Sequence, residues 1–206
     1  MTHYAFHFNA ERCTGCKTCQ LACADYNKLE EEHWYRKIYE YTGGTWEQDE
    51  VGCWTSSVFT YHVSVACNHC DDPACTKVCP TGAMHKDADT GLVSVNAKLC
   101  MGCGYCAMAC PYGAPSVDRE LGHSVKCDGC TARVAEGLAP ICVESCPMRA
   151  LDFGPVEDME ELGVRADFAP LPSSSLTGPN LYVVEPQTAE GVDERTGTVY
   201  NLTEVI

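Results

Sequence analysis

Two segments in the first third of the chain are predicted to be strands, and in one of them apolar and polar side chains alternate, a pattern typical of a strand with one buried face. From Phe59 onward, every second residue of Ser57–Val65 is apolar. Trp34–Tyr41 is rich in aromatic residues and precedes a Gly43–Gly44 pair, which favours a turn. We therefore predict a β-hairpin insert at residues 34–65 that packs over the rest of the protein and carries no chemistry.

A second, shorter hairpin is predicted near the middle of the chain. The turn residues Asp89-Thr90-Gly91 precede Gly91–Asn96, in which apolar and polar residues again alternate. Val58–Ala66 is the longest fairly apolar stretch, far short of the roughly 18 residues that a membrane-spanning helix requires. We expect no direct membrane span, and Met1–Phe6 suggests neither a secretory signal nor a twin-arginine pair.

Composition changes after Gly154. The acidic patch Glu157–Glu161 is followed by the proline- and serine-rich stretch Pro170–Ser175. Segments of this kind wrap a protein body or a partner, or stay partly disordered. We therefore predict a domain at residues 1–155 and an extended C-terminal tail at residues 156–206.

Cysteine is the most unusual feature of the composition. The chain has 17 Cys among 206 residues but only 5 Phe and 3 Trp, so something other than a large apolar core must organise the fold. A chain without an export signal stays in a reducing compartment, and an odd number of cysteines cannot pair completely, so a disulfide scaffold is disfavoured. The net charge of −15 argues against a nucleic-acid partner, because no basic surface is available to neutralise phosphates.

All but one of the 17 cysteines fall into four groups of four, which we call groups one to four in chain order. The groups are Cys13-x2-Cys16-x2-Cys19-x3-Cys23, Cys67-x2-Cys70-x4-Cys75-x3-Cys79, Cys100-x2-Cys103-x2-Cys106-x3-Cys110 and Cys127-x2-Cys130-x11-Cys142-x3-Cys146. The remaining thiol, Cys53, is predicted to be a buried spare and not a ligand.

The spacing of groups one and three is typical of bacterial ferredoxins that bind [4Fe–4S] clusters. Three thiolates of one loop hold one cluster, and the fourth, on the following helical turn, reaches a different cluster. Pro follows the last cysteine of groups two, three and four, where the chain turns away. Zinc also uses C-x2-C pairs, and group four alone resembles a zinc ribbon. A third and a fourth cysteine at this spacing favour iron–sulfur clusters instead.

Groups two and three, with the short hairpin between them, have the layout of a two-cluster ferredoxin. We predict an α+β fold of two nested ferredoxin-like units within residues 1–155. The inner unit spans residues 66–115, and groups one and four form the outer unit. The protein is therefore expected to bind four [4Fe–4S] clusters.

These motifs resemble the electron-transfer iron–sulfur subunit of the dimethyl sulfoxide reductase family of molybdenum enzymes. The resemblance covers nearly the whole chain and rests on Arg12–Cys19, Cys67–Pro80, Cys110–Pro115, Lys126–Cys130, Pro140–Pro147 and Ala150–Pro155. It implies a non-catalytic subunit between a large molybdopterin catalytic subunit and a separate membrane anchor. The complex would lie on the outer face of the cytoplasmic membrane, after co-export with a twin-arginine partner. A cytoplasmic complex and a free-standing polyferredoxin that serves several soluble enzymes stay open as alternatives, and the substrate and the direction of electron flow are not identified.

The ferredoxin rule and the family pattern together imply four ligand sets. The sets are cluster 1 (Cys13, Cys16, Cys19, Cys146), cluster 2 (Cys127, Cys130, Cys142, Cys23), cluster 3 (Cys67, Cys70, Cys75, Cys110) and cluster 4 (Cys100, Cys103, Cys106, Cys79). The resemblance implies this spatial order, with cluster 1 nearest the catalytic subunit and cluster 4 nearest the membrane subunit. In the nitrate-reductase branch of the wider family, Trp occupies the position of Cys103 and that cluster has three irons. Cys103 therefore predicts a four-iron cluster here.

No residue is predicted to be catalytic. Five cationic or titratable side chains close to the ligands are candidates for tuning cluster potentials, because a nearby positive charge stabilises the reduced cluster. The histidine among them could also couple electron transfer to protonation. For each candidate, the alternative is an ordinary surface side chain. The five are Lys17, Lys77, His85, Lys126 and Arg149.

Overall fold

The computed structural model describes residues 2–189 and 196–205, and it has the mixed α and β content that the sequence predicts. The helices are α1 (Thr18–Asn27), α2 (Ala74–Lys77), α3 (Tyr105–Ala109), α4 (Thr131–Ala135), α5 (Ile141–Glu144) and α6 (Val156–Leu162). The strands are β1 (Tyr4–Asn9), β2 (Lys37–Gly43), β3 (Trp46–Gln48), β4 (Trp54–Ser56), β5 (Phe59–Val65), β6 (Met84–Lys86), β7 (Val93–Val95), β8 (Ser116–Asp118), β9 (His123–Val125), β10 (Leu151–Pro155), β11 (Val164–Arg165), β12 (Leu181–Val184) and β13 (Gly197–Val199).

The largest sheet has four strands in the order β10-β1-β12-β11. Strand β1 pairs antiparallel with β10 and parallel with β12, and β11 pairs antiparallel with β12. The whole run Ala5–Phe8 of β1 is buried, which is typical of a strand that is covered on both faces. Through β1, the N-terminal segment of the chain is hydrogen-bonded to strands from its C-terminal part.

The two segments predicted to be strands pair with each other, as the sequence predicts. Strand β2 lies antiparallel to β5, from Lys37 opposite Val65 to Gly43 opposite Phe59, and β13 adds to the other edge of β2. The connection is longer than the predicted turn, because residues 44–58 contain the separate β3–β4 ladder. All residues of that ladder are exposed.

Cys53 lies at the turn of the β3–β4 ladder and is exposed, so the prediction of a buried thiol is wrong. The Asp49 carboxylate accepts hydrogen bonds from the backbone N–H groups of Val51 at 3.0 Å and of Cys53 at 2.8 Å. These local bonds close the turn without help from the core. The thiol is therefore left at the surface.

Part of the segment 156–206, which is predicted to be an extended tail wrapping the body or a partner, contributes to the central sheet. Helix α6 begins directly after β10, and β12 inserts between β1 and β11, with Leu181–Val183 buried. Within the predicted tail, residues 190–195 and 206 lie outside the described residues. The apolar run in β12 completes the central sheet, so this segment belongs to the body of the fold.

The main apolar core joins side chains of the two larger sheets, among them Phe8, Ile38 and Val183. Cys19 and Cys142 pack directly into it. In the described part of the chain, no helix has the length and apolar composition needed to cross a bilayer.

Candidate iron–sulfur sites

Short helices carry at least one cysteine of every group. Cys19 and Cys23 lie on α1, while Cys75, Cys106 and Cys142 lie on α2, α3 and α5. Helix α1 packs against α5, and α2 packs against α3. These contacts bring group one against group four and group two against group three.

Two of the predicted ligand sets each line one mostly apolar cavity. The first cavity is lined by Cys13, Cys16, Cys19 and Cys146, together with Phe8, Ile38 and Leu151. The second is lined by Cys79, Cys100, Cys103 and Cys106, together with Met84 and Val95. In each cavity, three thiols come from one group and the fourth comes from another: Cys146 from group four in the first cavity and Cys79 from group two in the second.

In the other two sets, the thiols lie close enough to change one another's pKa. Cys142 and Cys130 raise the pKa of Cys23, and Cys23 and Cys142 raise that of Cys127. In the same way, Cys67 and Cys110 raise the pKa of both Cys70 and Cys75. These thiols therefore lie near one another, and their assignment to four ligand sets stays a prediction.

The four sets follow one another in space. Cys19 of the first set packs in the same apolar cluster as Cys142 of the second. Cys127 of the second set packs with Cys67 of the third. Cys75 of the third set packs with Cys106 of the fourth. The sets therefore form a continuous series through the protein.

Exposure differs between the ends and the middle of this series. Cys16 in the first set and Cys103 in the fourth are exposed, whereas every thiol of the second set is buried. In the third set only Cys110 is partly exposed. Access from solvent or from a partner is therefore greatest at the two terminal sets.

Each of the four sets contains a sulfur that accepts a hydrogen bond. The donors are the backbone N–H of Ala150 to Cys146 (3.3 Å), of Gly129 to Cys127 (3.4 Å), of Met84 to Cys79 (3.3 Å) and of Ser124 to Cys100 (3.3 Å), and the Thr177 hydroxyl to Cys70 (3.2 Å). Hydrogen bonds to sulfur stabilise negative charge and are one determinant of cluster potential.

Burial is the main influence on the pKa of several of these thiols. It raises the pKa of Cys70 to about 11 and that of Cys75 to about 12, because an apolar environment disfavours the thiolate. At the exposed Cys16, hydrogen bonds from Thr18 lower the pKa of the thiol. Metal loading of the buried thiols must therefore release protons.

The five predicted tuning residues occupy different environments. Lys126 is buried, and its Nζ donates to the carbonyl oxygens of Val93 and Cys127, the latter at 2.7 Å. The other four are partly or fully exposed and bind protein partners: Lys17 pairs with Glu204, Lys77 with Asp72, His85 contacts Ser94 and Arg149 donates to the Glu144 carbonyl. Their tuning roles stay predictions, and Lys126 is the candidate with the strongest structural support.

Sequence reasoning missed two buried polar residues close to the thiols, Arg36 and His69. Arg36 is 2% exposed and lies just before β2, next to the half-buried Lys37. The His69 ring is also buried and accepts a hydrogen bond at Nδ1 from the Val93 N–H, at 2.9 Å. Nothing in the local pattern distinguishes Arg36 from Lys37, because the burial of Arg36 depends on distant elements.

The donor set fits a cofactor with several metal ions. In two of the predicted sets, four thiols line one mostly apolar cavity from several sides. Thiolate ligands around an apolar cavity are what iron–sulfur clusters require.

Comparison with known proteins agrees with this chemistry. A family model described as a 4Fe-4S dicluster domain matches residues 58–156, and one described as a 4Fe-4S binding domain matches residues 10–27. Over 206 residues, the sequence is 54% identical to the B subunit of the anaerobic dimethyl sulfoxide reductase of Haemophilus influenzae, covering 100% of both proteins.

More relatives show the same similarity. The sequence is 53% identical to the protein of that name from Escherichia coli, over 99% of each protein. It is 33% identical to the iron–sulfur subunit of the nitrate-inducible formate dehydrogenase of Escherichia coli, over 73% of this chain and 53% of the relative. The match therefore extends from the cysteine motifs to the full length of its nearer relatives.

Proposed function

Because this chain belongs to the family of iron–sulfur subunits of anaerobic dimethyl sulfoxide reductases, we propose that it carries electrons between a membrane anchor subunit and a molybdopterin catalytic subunit. The observation that carries the proposal is the series of four thiol sets, with an exposed cysteine at each end. Bound [4Fe–4S] clusters supply reversible one-electron transfer. The chain itself contributes ligands, spacing and exclusion of water, and no catalytic acid, base or nucleophile.

The proposed ligands are the four sets given above, and they place two ferredoxin-like units one inside the other. Packing of α1 on α5 supports the outer unit, and packing of α2 on α3 supports the inner unit. Exchange of the fourth cysteine within each pair of groups keeps neighbouring clusters close together. In the proposed complex, the Cys16 end faces the catalytic subunit and the Cys103 end faces the anchor, at the membrane surface.

We expect the native complex to contain about 16 irons per copy of this chain, four for each proposed cluster. The measurement is anaerobic purification, followed by iron and acid-labile sulfide analysis and by identification of proteins present in fixed ratio. A molybdopterin-containing subunit in fixed ratio supports the proposal. Full iron content without a fixed partner would instead indicate a free polyferredoxin, and bound zinc without sulfide would contradict both.

Gly15→Ala is expected to remove the cluster of Cys13, Cys16, Cys19 and Cys146, and with it about a quarter of the iron. Gly15 has a φ of +67°, and a Cβ at this position would lie 2.3 Å from the His62 ring. Either the His62 ring or the ligand loop must therefore move, and we expect a displaced loop to lose the cluster. Iron analysis and EPR of the reduced protein measure the loss.

Gly137→Ala is the matched control for this substitution. Gly137 has a φ of +77°, but no atom lies within 4 Å of the position that a Cβ would take there, so only backbone strain of about 1 kcal/mol is expected. If contact with His62 is the cause, Gly15→Ala combined with His62→Ala should recover iron. Full iron content in Gly15→Ala alone would contradict the explanation.

A further inference from the structure

Arg36 is a buried cation with few protein partners. Its side chain is 2% exposed, and Nη1 donates to the Ser64 hydroxyl at 2.9 Å. The guanidinium carbon lies 5.1 Å from the centre of the Phe6 ring. Among the described residues, Nε has no hydrogen-bond partner and no carboxylate forms an ion pair with this side chain.

A buried, unpaired guanidinium is costly. Desolvation of one ion costs several kcal/mol, and removal of its partner leaves that cost uncompensated. Arg cannot lose its proton to avoid the cost. Some other negative charge must therefore stabilise Arg36 in the functional protein.

The negative groups that face Arg36 are thiolates of two different sets. The four thiolates are Cys142, Cys19, Cys127 and Cys23. Cys19 belongs to the first proposed ligand set and the other three belong to the second, so Arg36 lies between these sets.

We propose that Arg36 is a positioning residue that serves as the shared countercharge of clusters 1 and 2 and raises the reduction potentials of both. The inference rests on the proposed ligand sets. Each cluster gains one electron and no proton on reduction, so its negative charge grows by one. A fixed cation between two clusters stabilises the reduced form of each. Ser64 holds the guanidinium in place, since its hydroxyl contacts Arg36 at 2.9 Å and lies 3.9 Å from the Cys19 sulfur.

The surroundings of Arg36 make its expected effect strongest at the first two sets. The cysteines that influence Arg36 most include none from the third or fourth set. Arg36 also lowers the pKa of His69, between Cys67 and Cys70 of the third set, where the buried cation that influences Cys75 is Lys126. Arg36 should therefore change the potentials of clusters 1 and 2 more than those of clusters 3 and 4, which a general loss of stability would not do.

The test is an anaerobic redox titration of the intact complex, followed by EPR, for Arg36→Gln, Arg36→Lys and the control Arg119→Gln. Arg119 is exposed, so the same change of charge there is screened by water. In Arg36→Gln, we expect the ratio of reduced to oxidised form to fall at least tenfold for two clusters, a shift of about 59 mV for one electron. Arg36→Lys should shift the same two potentials by less, because the positive charge is kept.

Iron analysis separates this inference from the proposed function. Fewer than four clusters in the unaltered protein would overturn the ligand sets, whatever Arg36 does. Four clusters with unchanged potentials in Arg36→Gln, or equal shifts of all four, would overturn the role of Arg36. If Arg36→Gln fails to retain clusters, Arg36→Lys decides: recovery of four clusters supports the need for a positive charge at this position, and loss of clusters in Arg36→Lys as well refutes the charge as the cause.

Discussion

Cys103→Ser is expected to convert one of the four proposed [4Fe–4S] clusters into a three-iron form and to leave the other three intact. Cys103 is an exposed thiol, held between Gly102 and Gly104 at φ of +68° and +78°. An iron without its thiolate is held by sulfides alone and is easily lost. Because cluster type and net charge set the potential, the potential at this end of the series should change. EPR of the protein as isolated anaerobically detects the three-iron form.

The catalytic consequence depends on where electrons enter. Quinol-linked activity should fall by about tenfold or more, since each 59 mV of mismatch changes a one-electron equilibrium tenfold. Activity driven by a dye that enters near the catalytic subunit should largely survive. Cys53→Ser is the matched control, because Cys53 is also exposed but lies outside the ligand sets.

Two results would contradict this prediction. One is a stoichiometric three-iron signal in the unaltered protein when it is isolated anaerobically. The other is a Cys103→Ser variant that keeps all four clusters and full quinol-linked activity. The first would refute the four-iron assignment of this cluster, and the second would refute Cys103 as its ligand.

Local spacing was sufficient to propose the ligands of the site. The intervals between cysteines in groups one and three follow from the number of thiolates that one loop can direct to one cluster. The same applies to the β2–β5 pairing, since alternation from Phe59 to Val65 follows from one buried face. Such features depend on neighbouring residues, so the sequence alone reveals them.

Features that depend on distant contacts were not predicted. Arg36 and Lys37 are adjacent cations, yet only Arg36 is buried, because Phe6 and Ser64 come from other strands. Nothing within the sequence of β12 indicated that it would pair in parallel with β1. Cys53 was predicted to be buried because free cysteines in proteins usually are. Its exposure follows from the turn that the Asp49 carboxylate closes, which holds it at the surface.

Removal of iron is expected to unfold residues 66–130 locally while the four-stranded sheet persists. The small apolar clusters of this segment consist largely of cysteines: one contains Cys75, Met84, Val93 and Cys106, and the other contains Ala66, Cys67 and Cys127. The β6–β7 and β8–β9 ladders are isolated pairs of three-residue strands, which are marginal without further packing. Here the clusters take the place of an apolar core.

The main core differs, because apolar residues such as Phe6, Leu181 and Val183 far outnumber its cysteines. Hydrogen exchange of the loaded and the chelated protein should therefore differ between the two regions. Amides of β6 and β7 should exchange about 100-fold faster after iron removal, a loss of about 2.7 kcal/mol in local opening free energy. Amides of β1 and β12 should keep most of their protection. Equal loss in all strands would show that the sheet also depends on the clusters, and unchanged protection in β6 and β7 would show that this segment folds without them.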